Sequence, residues 1–253
     1  MQQCVEKTAD PILLILLGAS NLSRAYYGFI KYLERCLYPR PVRFFNALGP
    51  GRAYCAEGGL LNFVYPPIGT CGILAAARGA PASRAVALVT DIGSDIMYDV
   101  PTEKIIAGLA DLFEKLHAID AAILATAIPQ SLEKELDGFR FWCLRTLFYP
   151  KSRVGREQVA RAVCEINRFL KTSANIRLIS GLEDYYGVDK IHFSLFKSHR
   201  AWTRIAKEVL RILNVESTEK VGALTMMLSL GSQVLRLTLC DMAPICDKDP
   251  DSF

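Results

Sequence analysis

The sequence has only three histidines, no excess of one charge and no cysteine pair spaced as CxxC. Its 30 basic and 26 acidic residues give a formal net charge of +4 at pH 7, and the basic residues are not gathered into one block. This balance excludes the electrostatic footprint of a nucleic-acid-binding protein and favours a small, neutral or mildly anionic partner. The apolar run at residues 12–17 is long enough for a strand but too short to span a bilayer.

The cysteines do not form an obvious framework of disulfides. Several of them lie in apolar surroundings, and the eight are Cys4, Cys36, Cys55, Cys71, Cys143, Cys164, Cys240 and Cys246. Because none of these spacings is typical of a redox or zinc motif, we expect reduced and mostly buried thiols.

The first residues of the chain bear on its location. Glu6 and Asp10 precede the first apolar stretch, whereas a secretory signal has a positively charged leader. We therefore expect a cytoplasmic protein. A cleaved signal peptide is the alternative, because the small residues Gly18-Ala19-Ser20 suit a peptidase.

Five short apolar segments predict strands that are buried on both faces, as in a parallel sheet. They cover residues 12–17, 42–48, 85–90, 122–127 and 176–180. Amphipathic helical patterns lie between them, so strands alternate with helices. This alternation predicts an α/β fold with a five-stranded parallel sheet in a three-layer α/β/α domain at residues 1–213. Ligands of such sheets bind at the loops that follow the carboxyl ends of the strands.

Two stretches fit the alternation less well. Residues 130–154 are rich in aromatic and basic side chains and predict a helical insertion, which packs on the sheet or covers the site. Residues 214–253 form a C-terminal extension with two apolar runs around Gly231-Ser232. These runs predict a β-hairpin that offers a contact between copies of the chain, and so a homo-oligomer.

A serine stands where the first predicted strand ends. The run stops on Gly-Ala-Ser-Asn, at a strand-to-helix turn that exposes a side chain close to the free N–H groups of a helix start. Ser20 is therefore a candidate nucleophile. The alternative is that Ser20 or Ser23 caps the helix.

One histidine suits the role of a base for this serine. His192 follows the fifth predicted strand, whereas His117 and His199 fall within helical patterns. Asp189 precedes His192 by three residues, and in a turn this spacing can bring the carboxylate under the imidazole.

The loops after the second and third strands can supply hydrogen-bond donors. Gly49-Pro50-Gly51 predicts a tight turn whose backbone approaches a ligand closely. A dinucleotide-binding loop is excluded there, because Tyr54 stands where the last glycine of GxGxxG belongs. Ser94 and Asp95 follow the third strand at the same edge of the sheet, although turn chemistry alone can also explain Gly-Ser-Asp.

The four loop segments, in their order along the chain, resemble the motifs of the SGNH hydrolases, also called GDSL esterases and lipases. Four motifs carry the resemblance: Gly18-Ala19-Ser20 matches Gly-Asp-Ser, Asn46 and Gly51 match the second motif, Ile92-Gly93-Ser94-Asp95 matches Gly-x-Asn-Asp, and Asp189-Lys190-Ile191-His192 matches Asp-x-x-His. The resemblance covers roughly residues 10–213 and implies a flavodoxin-like fold.

The resemblance also implies an activity and roles for the residues. It implies a serine esterase that cleaves a small or short-chain ester through an acyl-enzyme, with a catalytic triad of Ser20, Asp189 and His192. The N–H groups of Ser20 and Gly51 and the hydroxyl of Ser94 would form the oxyanion hole. No metal ion or cofactor is needed for this chemistry.

The sequence departs from the family pattern at two positions. Ala19 replaces an aspartate outside the triad, and Ser94 replaces the oxyanion asparagine. A hydroxyl is shorter than a carboxamide and must be oriented before it can donate. Two alternatives to hydrolysis therefore stay open, namely an acyltransferase with the same triad and a catalytically degraded binding protein.

Overall fold

The structure of the protein is a computed structural model. The description covers residues 11–60, 63–129 and 138–242. The residues outside these ranges include 1–10, the first part of the predicted 130–154 insertion, and 243–253 at the end of the predicted extension.

A five-stranded parallel sheet forms the centre of the protein, with strand order β2-β1-β3-β4-β5. Its strands are β1 (Ile12–Leu17), β2 (Val42–Ala47), β3 (Arg84–Val89), β4 (Ala121–Thr126) and β5 (Ile176–Ile179). Every strand begins and ends within one residue of its predicted bounds, so the α/β prediction is confirmed.

Eight α-helices occur in the described part of the chain. They are α1 (Ser20–Leu37), α2 (Ile73–Arg78), α3 (Ser94–Met97), α4 (Thr102–His117), α5 (Gly138–Phe148), α6 (Arg156–Thr172), α7 (Ser198–Ile212) and α8 (Ala223–Met242). The longer amphipathic helices cover the two faces of the sheet, as the burial of their apolar residues shows.

The central strand β1 shows how the three layers form. Leu13, Ile15 and Leu17 pack in one core together with α4 and α6. The intervening residues of β1 pack in the other core, with α1 and α7. Because successive side chains of a strand point to opposite faces, an uninterrupted apolar strand buries both faces between helices.

The topology brings the first and third strand-end loops together. The chain passes from β1 to β2 on one side and then returns to β3 on the other side of β1, which opens a crevice at the carboxyl ends of β1 and β3. Gly18 closes the strand end tightly, since a Cβ there would lie only 2.3 Å from the Thr90 hydroxyl oxygen. The loop that carries Ser20 therefore lies directly against the loop after β3.

The predicted β-hairpin in the C-terminal extension is wrong. Helix α8 runs through Gly231-Ser232 without a turn. Leucine and methionine dominate its apolar positions, and both favour helix over strand. Met226 is buried in the core beside α1, and Gly28 lets the two helices approach, since a Cβ there would lie 2.8 Å from the Met226 sulfur.

The described cysteine side chains are less buried than the sequence predicts. Cys36, Cys55 and Cys71 are half-buried, and Cys143 and Cys164 are exposed; all five are free. Within the described residues, no helix is long and apolar enough to cross a membrane.

Candidate active site

Ser20 is the first residue of α1, but it does not cap the helix. The carboxylate of Asp91 does so from the loop after β3, where its Oδ2 accepts hydrogen bonds from the N–H groups of Ala19 (2.9 Å) and Leu22 (3.3 Å). An anion at this position also interacts favourably with the helix dipole. The interpretation of Ser20 or Ser23 as the cap is therefore wrong, because Ala19 occupies the N-cap position and Ser23 Oγ makes no hydrogen bond among the described residues.

Asn21 ties three loops together. Its Nδ2 donates to Asp91 Oδ1 (2.8 Å) and to the carbonyl of Ile191 (2.9 Å), and its Oδ1 accepts from the N–H of Phe193 (2.8 Å). The side chain is buried, so these bonds form away from bulk water, where an unmade bond is costly. The residue next to Ser20 thus holds the chain on both sides of His192.

Asp189 and His192 form the pair that the sequence predicts. Nδ1 of His192 lies 2.7 Å from Asp189 Oδ2. The other carboxylate oxygen accepts from the N–H groups of Ile191 (3.1 Å) and His192 (3.0 Å). An aspartate that bonds the backbone two and three residues ahead stabilises its own turn, which explains the Asp-x-x-His spacing.

The ionisation of Asp189 fixes the tautomer of His192. Burial raises the pKa of Asp189, but the hydrogen bonds and the charge of His192 outweigh burial, so this pKa lies below its usual value. An ionised carboxylate only accepts hydrogen bonds. Nδ1 of His192 must therefore carry the proton, which leaves Nε2 as the nitrogen that can accept one.

Helix α5 contributes aromatic side chains to the same region. The ring of Phe148 meets the imidazole of His192 edge-on, with ring centroids 5.5 Å apart. Phe141 and Arg145 of α5 line the cavity at Ser20. The described part of the 130–154 insertion therefore forms one wall of the site.

A cavity of about 80 Å³ opens beside Ser20, well above the 10–15 Å³ that one water needs. Polar groups of Ser20, Asp91, Ser94 and Tyr149 lie along it. Its remaining wall is largely apolar and includes Ile96, Met97, Ile128, Phe141, Val159 and Val163. Such a lining suits the hydrocarbon part of a small ligand, with a few polar groups to orient it.

Ser94 lies in this cavity as the first residue of α3, and Tyr149 lines the same cavity. Burial raises the pKa of Tyr149 far above its usual value, so the phenol stays protonated. The hydroxyls of Ser94 and Tyr149 can therefore both donate a hydrogen bond to a ligand in the cavity.

Gly51 has a conformation that only glycine adopts easily. Its φ is +72°, and a Cβ would lie 2.5 Å from the carbonyl oxygen of Gly59. The hydroxyl of Tyr98 donates to the Gly51 carbonyl (2.7 Å). Gly51 is not among the described residues that line the cavity at Ser20, so the structure leaves its predicted role in the oxyanion hole untested.

Asp95 connects the second and third strand-end loops. Its buried carboxylate accepts hydrogen bonds from the N–H groups of Tyr54 (2.8 Å), Cys55 (2.8 Å) and Ala56 (3.1 Å). Burial raises the pKa of Asp95, and the three N–H donors oppose this shift. The Gly93-Ser94-Asp95 segment therefore fixes the loop that follows β2.

The predicted residues are thus brought together in part. Ser20 and Ser94 line one cavity, and Asp189 and His192 form a pair whose intervening residues, Lys190 and Ile191, line the same cavity. No hydrogen bond joins Ser20 to His192 among the described residues; the link between them runs through Asn21.

Sequence reasoning missed three residues of this site, namely Asn21, Asp91 and Tyr149. Their signals were a polar residue directly after the candidate nucleophile, an aspartate at the end of a buried strand and an aromatic residue in the insertion.

Comparison with known proteins gives a likeness in structure only. No protein-family model and no curated protein matches the sequence. A protein from Slackia heliotrinireducens, whose assignment to the SGNH hydrolases is provisional, has a TM-score of 0.50 at 13% identity, over 79% of this chain and 100% of that one.

Two further structures have slightly lower scores. An esterase from Pseudoalteromonas, inhibited by monoethylphosphonate, has a TM-score of 0.49 at 14% identity, over 80% of this chain and 98% of that one. A carbohydrate esterase of family 3 from Talaromyces cellulolyticus has a TM-score of 0.48 at 14% identity, over 81% of this chain and 100% of that one. From the sheet order and the likeness to the Slackia protein, we conclude that the chain has the fold of the SGNH hydrolases.

Proposed function

We propose that the protein is a serine esterase that hydrolyses a small ester through an acyl-enzyme. Ser20 attacks the ester carbonyl carbon, and Nε2 of His192 takes the serine proton and then gives it to the leaving alkoxide. Water attacks the acyl-enzyme with His192 as base, which releases the carboxylic acid and restores Ser20. Asp189 orients the imidazole and stabilises its charged form.

One observation carries this proposal: the Ser20 hydroxyl is free of a capping role and lines a cavity beside an oriented Asp-His pair. A structural serine at a helix start would donate or accept a capping bond, but Asp91 already makes those bonds here. The hydrogen bonds of Asn21 to Ile191 and Phe193, on both sides of His192, support the same assignment, because a catalytic base needs a fixed position.

Covalent labelling tests the assignment directly. An activated alkyl phosphonate should add once to the protein, and peptide mapping should place the adduct on Ser20. Ser20→Ala should stay unmodified, and His192→Ala should react far more slowly because the serine loses its base. An unmodified wild-type protein would favour a binding protein with this fold. If Ser20 is labelled and the unlabelled protein, given an ester and an added alcohol, forms a new ester faster than it releases acid, an acyltransferase is favoured.

Ser94 gives the second prediction. We propose that its hydroxyl donates to the oxyanion together with the N–H groups of Ser20 and Gly51. Ser94→Ala should lower kcat by about 100-fold with little change in KM, because the bond is made mainly to the charge that develops in the transition state.

Steady-state kinetics on an activated short-chain ester checks this expectation. Thr126→Val is the matched control, since Thr126 lines the same cavity and loses only its hydroxyl. An unchanged kcat in Ser94→Ala would show that Ser94 is only a turn residue.

A further inference from the structure

A second cavity, which we call the aromatic cleft, lies against α1. It has a volume of about 130 Å³ and is lined by the rings of Tyr26, Tyr27, Phe63 and Tyr65. Ser23, one helical turn after Ser20, lines it together with Leu48, Gly49 and Pro50 of the loop after β2. Residues three apart on a helix are neighbours on its surface, so one wall of the cleft lies next to the candidate nucleophile.

The aromatic rings offer flat apolar faces to a ligand. Phe63 and Tyr65 are stacked nearly parallel, with an angle of 8° between their planes and 6.2 Å between their centroids. Tyr27 is 51% exposed on α1, which is high for a large aromatic side chain. Rings arranged in this way can pack against the C–H faces of a sugar ring.

One buried polar atom without a partner belongs to the lining of this cleft. Ser23 Oγ makes no hydrogen bond among the described residues. Buried polar groups usually have a partner, so this hydroxyl favours a ligand with polar groups. Behind the rings, Asn46 Nδ2 donates to the Tyr26 hydroxyl (2.6 Å) and the Arg52 guanidinium lies 5.5 Å from the centre of the Tyr65 ring.

The polar groups of the lining can both donate and accept hydrogen bonds. The hydroxyls of Ser23 and Tyr26 can serve in either role. Helix α8 adds Ser229, Ser232 and Gln233 to the lining. No described residue that lines the cleft carries a formal charge, which favours a neutral ligand with several hydroxyl groups over an anion.

We propose that the aromatic cleft binds a neutral sugar ring. The proposal rests on the esterase function, since it makes the sugar the alcohol part of an ester whose acyl group lies in the cavity at Ser20. Hydrolysis would then convert an O-acylated sugar and water into the free sugar hydroxyl and the carboxylic acid.

Paired kinetics tests the role of the cleft in the reaction. Tyr27→Ala and Gln233→Ala should each lower kcat/KM for an O-acetylated methyl glycoside by about 10-fold, because ring contact and hydrogen bonds to the sugar are lost. Hydrolysis of 4-nitrophenyl acetate should be unchanged, since that ester has no sugar. Tyr38→Ala is the matched control, because Tyr38 is an exposed tyrosine at the end of α1 and is not among the residues that line the cleft.

Ligand-detected NMR on Ser20→Ala protein tests binding without catalysis. Methyl glycosides of xylose, glucose and N-acetylglucosamine serve as probes, and the expected result is saturation transfer that Tyr27→Ala removes. Hydrolysis of 4-nitrophenyl acetate without binding of any of these glycosides would overturn the inference and leave the esterase proposal intact. Binding without hydrolysis of any ester would support the cleft as a sugar site and contradict the esterase proposal.

Discussion

Replacing Ser20 with alanine is expected to lower kcat for an activated short-chain ester by about 10⁴-fold or more, because the reaction loses its nucleophile. What remains should be the slow reaction supported by substrate binding and the oxyanion donors. The fold should persist, since the Asp91 carboxylate caps α1 and makes no bond to the Ser20 side chain. Stopped-flow or steady-state assays with thermal unfolding of the same samples separate the two effects.

Ser198→Ala is the matched control for this experiment. Ser198 is also the first residue of a helix, is also half-buried and also makes no capping bond. It lies outside the described lining of the cavity at Ser20, so its variant should keep the parent rate. A Ser20→Ala protein with parent activity would rule out the serine esterase.

The second large effect is expected at Asp91. Asp91→Asn should lower the free energy of unfolding by about 2–4 kcal/mol, because an amide nitrogen must face one of the N–H donors that now point at the carboxylate. In one orientation of the new side chain, the amide nitrogen faces the N–H groups of Ala19 and Leu22. In the other orientation, it faces Nδ2 of Asn21. Activity should fall as well, since the same bonds place Ser20. Urea unfolding gives the stability change directly.

Asp99→Asn is the control for the backbone conformation of Asp91. Asp91 has φ +58° and Asp99 has φ +57°, so both substitutions place an asparagine in the left-handed region that this residue tolerates. Asp99 is exposed, and within the described part of the chain its carboxylate accepts only the N–H of Arg153. Its variant should therefore lose far less stability. Equal losses in the two variants would contradict the role of Asp91 as the cap and link between loops.

Much of the fold could be predicted because parallel strands are buried on both faces. Runs such as residues 12–17 contain no polar residue, and this pattern has few interpretations in a chain of alternating strands and helices. The pair Asp189 and His192 could be predicted for a similar reason, since three residues of separation bring both into one turn.

The remaining parts of the site depend on partners far apart in the sequence. Asn21 contacts residues 70 and about 170 positions away, and no local pattern specifies such contacts. The error at Gly231-Ser232 has the same origin, because packing of α8 on α1 outweighs a turn signal. Tyr149 joins Ser94 in the lining of one cavity only after the insertion folds over the sheet.

The link through Asn21 and Asp91 has a consequence for motion. The backbone N–H groups of Ala19, Leu22 and Phe193 all donate to these two side chains. None of these N–H groups can exchange with solvent until the hydrogen bonds to Asn21 and Asp91 open. Local openings of a protein involve cooperative units rather than single bonds. The nucleophile loop and the histidine loop should therefore fluctuate as one unit, and their amide hydrogens should exchange with deuterium at a common rate.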